Sequence, residues 1–376
     1  MLEKAGSLRT MYLADKIEGG KRVPIFHRDR SPILIVGKKL STELLQTLFL
    51  VHHSQGGSGS YFGDVESILP RITRPLETVL FERDFDRPRS FNPLERVPDH
   101  KRSEIADYCL EAFHAAWPSN IPTPLLDNNL LAAFLAMLSI PNGTLYAARH
   151  LFTSATYRSN ILSKLKDLDL KDMWRGFHKL NDRDQHQQAQ SVMNRLLVLT
   201  TDPAYRTIIG QTKSFKLNDK DALLANLPDT TRGHLITALL MARLTGPIFI
   251  QSPHVFVGAG QPIIACEYLE QLPEHLRKRL IATATLIAFR VGVNDAHVLK
   301  PELNLRDGDF ALTDLPQDYC YVRQETTELA VMPEVRFPYN HRVTRAIRNR
   351  SRSDQYSQPR LAVEAKLETF LKNLSG

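Results

Sequence analysis

The sequence predicts an α/β protein in which an all-helical insertion interrupts the sheet and a basic helical tail follows it. Short apolar runs of strand length alternate with helical patterns in the first and last parts of the chain, which is typical of a wound α/β sheet. A central stretch carries helical periodicity without strand signals, and arginines are concentrated beyond residue 335. A chain of 376 residues is long enough for more than one such unit.

The first half of the predicted core is formed by residues 1–98. Residues 32–36 (PILIV) are a continuous apolar run of the type that is buried in a parallel sheet. A helix with leucines on one face follows and is expected to end near Val51. Residues 52–64, which include GGSGS, are interpreted as a flexible loop. Residues 77–82 (ETVLFE) are predicted to be a second strand.

The insertion is predicted to comprise residues 99–199 and to be entirely helical. Residues 102–117 place Cys109 and Phe113 at helical spacing. Residues 125–138 (LLDNNLLAAFLAML) have the composition of a buried helix.

Strand patterns return in residues 200–335, which are predicted to complete the core. Five short apolar runs are predicted strands, and helical patterns separate several of them: residues 222–228, 246–251, 261–266, 284–289 and 319–324.

The tail, residues 336–376, is expected to be helical and detached from the core. Seven arginines and one acid, Asp354, lie between residues 336 and 360, so this window contributes +6 of the net charge of +7. A concentrated basic surface favours an acidic partner such as nucleic acid, and a solvated helix is the alternative interpretation. The arginines assigned to DNA binding are Arg342, Arg345, Arg348, Arg350 and Arg352.

The composition also argues against several classes of protein. No stretch reaches the roughly 20 apolar residues needed to cross a bilayer, and the first 20 residues lack the apolar segment of a signal peptide. Three scattered cysteines do not form a disulfide framework or a zinc site. The histidines have no ligand partners at metal spacing and are interpreted as surface residues. The sequence therefore predicts a cytoplasmic protein without a membrane span or a bound metal.

Residues 31–50 (SPILIVGKKLSTELLQTLFL) have the frame of a phosphate-binding loop, with an apolar strand, a glycine and a Ser-Thr pair that leads into a helix. The Gly-Lys pair that holds the phosphates in such loops is missing. In an alignment without a gap from Gly37, Thr42 falls at the second glycine and Glu43 at the lysine. A carboxylate at that position would repel the phosphates that a lysine binds.

A two-residue deletion in the same alignment gives a second interpretation. Ser41 and Thr42 then take the hydroxyl positions that hold Mg²⁺, and Lys38 or Lys39 replaces the missing lysine. Such a loop is too short to wrap a phosphate in the usual way, so conventional ATP binding is not expected.

The order of these segments resembles the HerA/TraG branch of P-loop motors, which includes the coupling ATPases of conjugative type IV secretion. The resemblance covers nearly the whole chain and implies a RecA-like P-loop core with an all-helical insertion. It does not by itself imply function. Six segments resemble successive blocks of that family in the same order: residues 90–97 (SFNPLERV), 194–219, 267–272 (EYLEQL), 286–299, 312–323 and 351–367.

The resemblance also indicates where catalytic residues are expected. The Walker B strand of the family ends in Asp-Glu, whereas residues 247–250 (PIFI) lead into Gln251 and Ser252, neither of which can act as a general base. Glu267 stands where the family has a polar Gln. These losses imply release from hydrolysis. Arg290 lies where the family keeps an arginine near subunit contacts, so it is a candidate for acting on a neighbouring subunit's nucleotide. A salt-bridged arginine at the end of a strand is the alternative interpretation.

The leading hypothesis is a non-hydrolysing relative of the coupling ATPases. It would bind DNA through the tail, or a protein partner, as one subunit of a homo- or hetero-oligomer, with no cofactor. The first alternative is an unconventional ATPase or DNA translocase that uses ATP and Mg²⁺ through Lys38 or Lys39 with Ser41. The second alternative is a structural adaptor without DNA binding, whose tail docks on an acidic protein surface.

Overall fold

A computed structural model describes residues 11–27, 31–119, 121–251, 256–306 and 308–375. In these residues a single sheet of eleven strands runs through the molecule. The strands are β1 (Met11–Glu18), β2 (Lys21–His27), β3 (Ile33–Val36), β4 (Gly59–Phe62), β5 (Thr78–Glu82), β6 (Ala222–Asn226), β7 (Pro247–Gln251), β8 (Gln261–Cys266), β9 (Thr285–Ala288), β10 (Tyr319–Arg323) and β11 (Thr327–Val331).

The core of the sheet is parallel. In the order β9-β3-β8-β7-β4-β6-β5, each strand runs parallel to its neighbours. Strands β10, β11, β1 and β2 extend the sheet beyond β9 in antiparallel pairs. Because parallel strands end at the same edge of a sheet, the residues that follow β9, β3, β8, β7 and β4 lie side by side, where ligands bind in open α/β sheets.

Helices cover both faces of the sheet. Strand β3 contributes Ile33 and Ile35 to one apolar cluster and Leu34 and Val36 to another, as the alternation of a strand requires. No helix within the described ranges is both long enough and apolar enough to span a membrane. The helices are α1 (Lys38–Ser54), α2 (Val65–Ile68), α3 (Arg102–Ala116), α4 (Pro124–Ser139), α5 (Leu145–Ala148), α6 (His150–Thr153), α7 (Ala155–Lys164), α8 (Leu168–Lys179), α9 (Asp182–Thr200), α10 (Pro203–Ile209), α11 (Thr231–Met241), α12 (Glu274–Thr283), α13 (Val293–Glu302), α14 (His341–Ser351) and α15 (Arg360–Ser375).

The predicted α/β class is confirmed, and the predicted strands correspond to β3, β5, β6, β7, β8, β9 and β10. The helix after β3 ends at Ser54 rather than near Val51. The sequence patterns do not indicate β1, β2 or β11. Strand β2 lies at the edge of the sheet and is mostly exposed, so it lacks the buried apolar run by which a strand is recognised.

The interpretation of residues 52–64 as a flexible loop is wrong for part of this range. Residues 59–62 form β4, which lies between β7 and β6 and is buried along its whole length. Glycine at position 59 allows a close approach of β7, because a Cβ there would lie 3.1 Å from the carbonyl oxygen of Pro247. His52 and His53 belong to the last turn of α1 and are buried, so they are not surface histidines.

Between β5 and β6 the described residues form helices and contain no strand, in agreement with the helical pattern of the sequence. Apolar residues of the sheet and of these helices, among them Leu34, Phe134 and Val192, belong to one continuous cluster. The division of the chain at residues 99 and 199 stays a prediction.

The expectation of a detached tail is wrong. Helix α14 packs along β5, which forms one edge of the sheet, and its Ile347 is fully buried. The Leu80 N–H of β5 donates to the Ser351 hydroxyl at 2.7 Å. In α15, the Phe370 ring lies 5.5 Å from the His150 ring. The tail therefore covers the edge of the sheet and also contacts the helical region.

Candidate nucleotide-binding site

A single residue, Gly37, connects β3 to α1 at the carboxyl edge of the sheet. Strand β3 ends at Val36 and α1 begins at Lys38. The Gly37 N–H donates to the carbonyl of Cys266 at 3.1 Å, so it is already used by the end of β8. A phosphate-binding loop surrounds the phosphates with several successive backbone N–H groups, and a one-residue connection cannot form that cradle.

The surroundings of Gly37 also require glycine. Its φ of 135° and ψ of 141° lie in a region that other residues rarely adopt. A Cβ at this position would lie 2.7 Å from the Cβ of Phe289. The residue that follows β9 therefore packs directly against the connection.

The two lysines of the connection lie on the surface of α1. Lys38 and Lys39 are exposed, and the Lys39 side chain is 87% exposed. The Lys39 ammonium pairs with the Glu43 carboxylate at 3.3 Å, one helical turn further on. The partner of Glu43 is therefore a lysine of its own helix.

The Ser41 hydroxyl is enclosed within the first turn of α1. Ser41 is fully buried, and its Oγ donates to the carbonyl of Lys38 at 2.9 Å. Thr42 is half-buried beside it. A Mg²⁺ ion bound to nucleotide needs a hydroxyl that faces the phosphates, and the Ser41 hydroxyl faces its own helix.

At the end of β7, Gln251 ties the strand to its neighbour. The Tyr61 hydroxyl and the Asp64 N–H both donate to Gln251 Oε1, at 3.1 Å and 2.9 Å. A neutral amide held in this way supplies no charge to support Mg²⁺ and no base to activate water. Ser252 lies outside the described residues.

At the end of β8, Glu267 is half-buried, and its N–H donates to the Gln271 side chain at 2.7 Å. A carboxylate that the sequence analysis did not single out, Asp295, lies nearby in the first turn of α13. Asp295 is 6% exposed and accepts the Leu269 N–H at 3.3 Å. Burial raises the pKa of Asp295, while this hydrogen bond lowers it. It joins α13 to the end of β8.

Arg290 follows β9 and is exposed. Its carbonyl oxygen lies 3.5 Å from the position that a Cβ on Gly37 would occupy. Arg290 therefore lies beside the β3–α1 connection of its own chain. It has no ion pair within the described ranges, in contrast to the alternative of a salt-bridged arginine at a strand end.

Three of the five tail arginines form ion pairs with acids of the core. Arg348 pairs with Glu66 at 2.5 Å, Arg350 with Asp221 at 2.8 Å and Arg352 with Asp84 at 3.1 Å. The other two, Arg342 and Arg345, are exposed and have no ion pair in the part of the chain that the structure describes.

The residues at the carboxyl edge do not fit Mg-ATP. The connection offers no phosphate cradle, the Ser41 hydroxyl is enclosed and the Gln251 amide is neutral. Across the described ranges, no group of three or more His, Cys, Asp or Glu side chains could hold a metal ion. What remains is a surface with Lys38, Lys39 and Arg290 exposed around the start of a helix.

The sequence matches no protein-family profile and no curated protein. Solved structures do match. The plasmid coupling protein TrwB in complex with ADP and Mg²⁺ is 11% identical, over 91% of this chain and 99% of that chain, with a TM-score of 0.54. TrwB in complex with the ATP analogue ADPNP is 13% identical, over 91% and 92%, with a TM-score of 0.55.

VirB4 of Thermoanaerobacter pseudethanolicus is 11% identical, over 89% of this chain and 99% of that chain, with a TM-score of 0.56. At these identities the likeness establishes the fold, which is the RecA-like P-loop α/β fold of TrwB and VirB4. The resemblance to coupling ATPases inferred from the sequence is confirmed at this level.

Proposed function

We propose that this protein is a non-hydrolysing relative of the conjugative coupling ATPases, and that it acts in the cytoplasm by binding as one subunit of a larger assembly. The observation that carries the proposal is the one-residue connection between β3 and α1. Open α/β sheets bind ligands beyond the carboxyl ends of their strands, and the fold neighbour TrwB has been solved in complex with ADP and Mg²⁺. In this chain the backbone there passes from strand to helix without a loop.

Further positions at the same edge support the proposal independently. Lys39 forms an ion pair with Glu43 on the helix surface, and the Ser41 hydroxyl donates a hydrogen bond to a carbonyl of its own helix. The side-chain oxygen of Gln251 accepts hydrogen bonds from Tyr61 and Asp64 and so joins β7 to the end of β4. Each of these contacts stabilises the fold, and none of them requires a nucleotide.

The proposal assigns DNA binding to the exposed part of the tail. Arg342 and Arg345 are available to phosphates, and the fold neighbour TrwB is a plasmid coupling protein. The paired arginines instead hold α14 against the sheet.

An adaptor without DNA binding is the second candidate, because a specific observation favours it. The ion pairs of Arg348, Arg350 and Arg352 neutralise much of the charge on which the DNA assignment rests. Substitution of Arg342 and Arg345 distinguishes the two candidates, because it should weaken DNA binding only under the first.

ATP turnover with two variants tests the proposal against the unconventional ATPase. We expect no turnover above the background by the wild type, by Lys39→Ala or by Ser41→Ala, because the one-residue connection forms no phosphate cradle that either side chain could complete. Enzymes of ordinary efficiency turn over at about 1–1,000 s⁻¹, so even weak activity is measurable. Lys278→Ala is the matched control, since Lys278 also pairs with an acid on an exposed helix, Glu274 at 2.6 Å. Turnover that Lys39→Ala abolishes and Lys278→Ala retains would establish a compressed P-loop.

A further inference from the structure

A cleft of about 580 Å³ lies in the helical region, between the end of α3, the start of α4 and the middle of α9. This volume falls within the range of about 300–1,000 Å³ that ligand sites occupy. Its apolar wall consists of Trp117, Pro124, Leu125 and Leu126, and Asn194 and Arg195 form the polar side.

Trp117, which lines the cleft, is fixed by its neighbours. It follows the last residue of α3, and its backbone N–H donates to the carbonyl of Phe113 at 3.1 Å. Its ring stacks on the Phe113 ring with centroids 5.8 Å apart, and Phe113 packs on Phe134 of α4 at 5.4 Å. The indole is thus held rigidly by the core of the helical region, as an anchoring surface requires.

Arg195 is a cation without a carboxylate partner in the described residues. Its guanidinium carbon lies 4.6 Å from the centroid of the Trp117 ring, and burial lowers the pKa of the Arg195 guanidinium. A guanidinium that stacks on an indole keeps its N–H groups directed outward in one plane. That arrangement matches the two oxygens of a carboxylate.

The rim of the cleft is apolar and open. Leu125, which lines the cleft, is 55% exposed. Ile121, which lies close before it in the chain, is 75% exposed. Exposed apolar side chains beside an aromatic ring and an arginine have the composition of an interaction surface, since Trp and Arg are enriched where proteins bind each other. An open rim also fits a segment of another protein better than an enclosed small molecule.

The charge around the cleft fits one carboxylate and does not fit a nucleic acid. Binding to a phosphate backbone requires several cations, and Arg195 is joined in this region by an acid, Asp127, in the first turn of α4. That acid is already bonded to His114 at 2.8 Å and to the Thr123 hydroxyl at 3.1 Å. The amino end of α4 has no side-chain cap on its backbone N–H groups, and the helix dipole adds a weak preference for negative charge.

We propose that this cleft binds an acidic peptide segment of a protein partner, in which an apolar side chain stands next to a carboxylate. The apolar side chain packs on Trp117 and Leu125, and the carboxylate pairs with the Arg195 guanidinium. The inference rests on the proposed function only in treating the chain as a binding subunit, and it does not involve nucleotide.

Selection of peptides on the full chain tests this inference. A displayed library of random twelve-residue peptides is selected on the wild type, and the enriched peptides are synthesised with a fluorescent label. We expect them to share an Asp or Glu, or a free terminal carboxylate, next to an apolar residue. Arg195→Glu and Leu125→Asp should each weaken their binding by about tenfold or more, since each removes one half of the recognition. Arg195→Lys keeps the charge without the planar fork and should give a smaller loss.

Arg183→Glu is the matched control, because Arg183 is an exposed arginine earlier on α9 and the change in charge is the same. Thermal melting of each variant shows that the chain stays folded. Enriched peptides without an acid, equal binding to Arg195→Glu, or no enriched peptide would each overturn the proposal. Self-association or DNA binding that Leu125→Asp or Arg195→Glu removes would overturn it too, in favour of a second copy or a nucleic acid. Nucleotide is absent from these assays, so their outcome is independent of the ATP turnover result.

Discussion

At the scale of the residue, Gly37 fixes the geometry of the candidate nucleotide site. Its φ of 135° and the approach of Phe289 allow β3 to continue into α1 with no intervening loop. A glycine thus remains where a phosphate-binding loop begins, but its role here is to let β9 pack closely. Phosphate binding would require the chain on either side of it to move apart.

We expect Gly37→Ala to lower the free energy of unfolding by about 2 kcal/mol or more, from backbone strain and from the contact with Phe289. Urea denaturation followed by circular dichroism measures the change. Gly176→Ala provides a control of opposite sign, because Gly176 lies inside α8 with open space around it. That substitution should stabilise the protein by up to about 1 kcal/mol. An unchanged free energy of unfolding in Gly37→Ala would contradict the packing described for the connection.

At the scale of the element, the arginines of α14 and of its C-cap form two sets with different roles. Arg348, Arg350 and Arg352 pair with acids of the core and place the helix along β5, where Ser351 accepts a hydrogen bond from the strand. Arg342 and Arg345 are exposed. Arg348, Arg350 and Arg352 cannot leave their acids without exposing the edge of the sheet. Arg342 and Arg345 have no such structural role, so only these two are expected to contact an external ligand.

The double substitution Arg342→Ala with Arg345→Ala tests the DNA assignment at this scale. If each arginine contacts a phosphate, the slope of log K against log salt should fall by about 2, and affinity for duplex DNA should drop. Fluorescence anisotropy at several salt concentrations measures both quantities. The pair Lys278→Ala with Arg279→Ala removes the same charge from an exposed helix and should have little effect. Unchanged DNA affinity in the α14 variant would favour the adaptor.

At the scale of the whole molecule, buried histidines link the stability of the fold to pH. His52 and His53 are buried in the last turn of α1, and burial lowers the pKa of both. Burial also lowers the pKa of His150 to about 4, and this ring supports Phe370 of the tail. A histidine with a lowered pKa in the folded state binds protons more readily when unfolded. Its contribution to stability is therefore complete above about pH 6.5 and is lost as the pH falls towards the folded pKa.

We expect the free energy of unfolding to fall between about pH 7 and pH 5, a window above the ordinary titration of carboxylates. Urea denaturation at several pH values measures it. His150→Phe keeps an aromatic ring against Phe370 and should reduce this dependence on pH. A stability that is constant or rises over this window would show that the three histidines stay accessible to protons in the folded chain.

Much of the fold could be predicted from the sequence, because parallel strands such as 32–36 and 247–250 are buried on both faces and appear as continuous apolar runs. Strand β4 could not, since it contains glycine and serine and its burial depends on its neighbours β6 and β7. The packing of the tail on the core could not be predicted either, because the acids that pair with its arginines are distant in sequence. At the site, the absence of the phosphate-binding lysine could be predicted from the sequence. The enclosure of Ser41 and the contacts of Gln251 are evident only in the structure.

Isothermal titration calorimetry of Mg-ATP into the wild-type protein tests most directly whether this edge of the sheet binds nucleotide. We expect only the heat of dilution, because the one-residue β3–α1 connection cannot hold phosphates. Saturable binding that Ser41→Ala or Lys39→Ala removes would contradict this expectation and would show that this edge of the sheet still opens to form a nucleotide site.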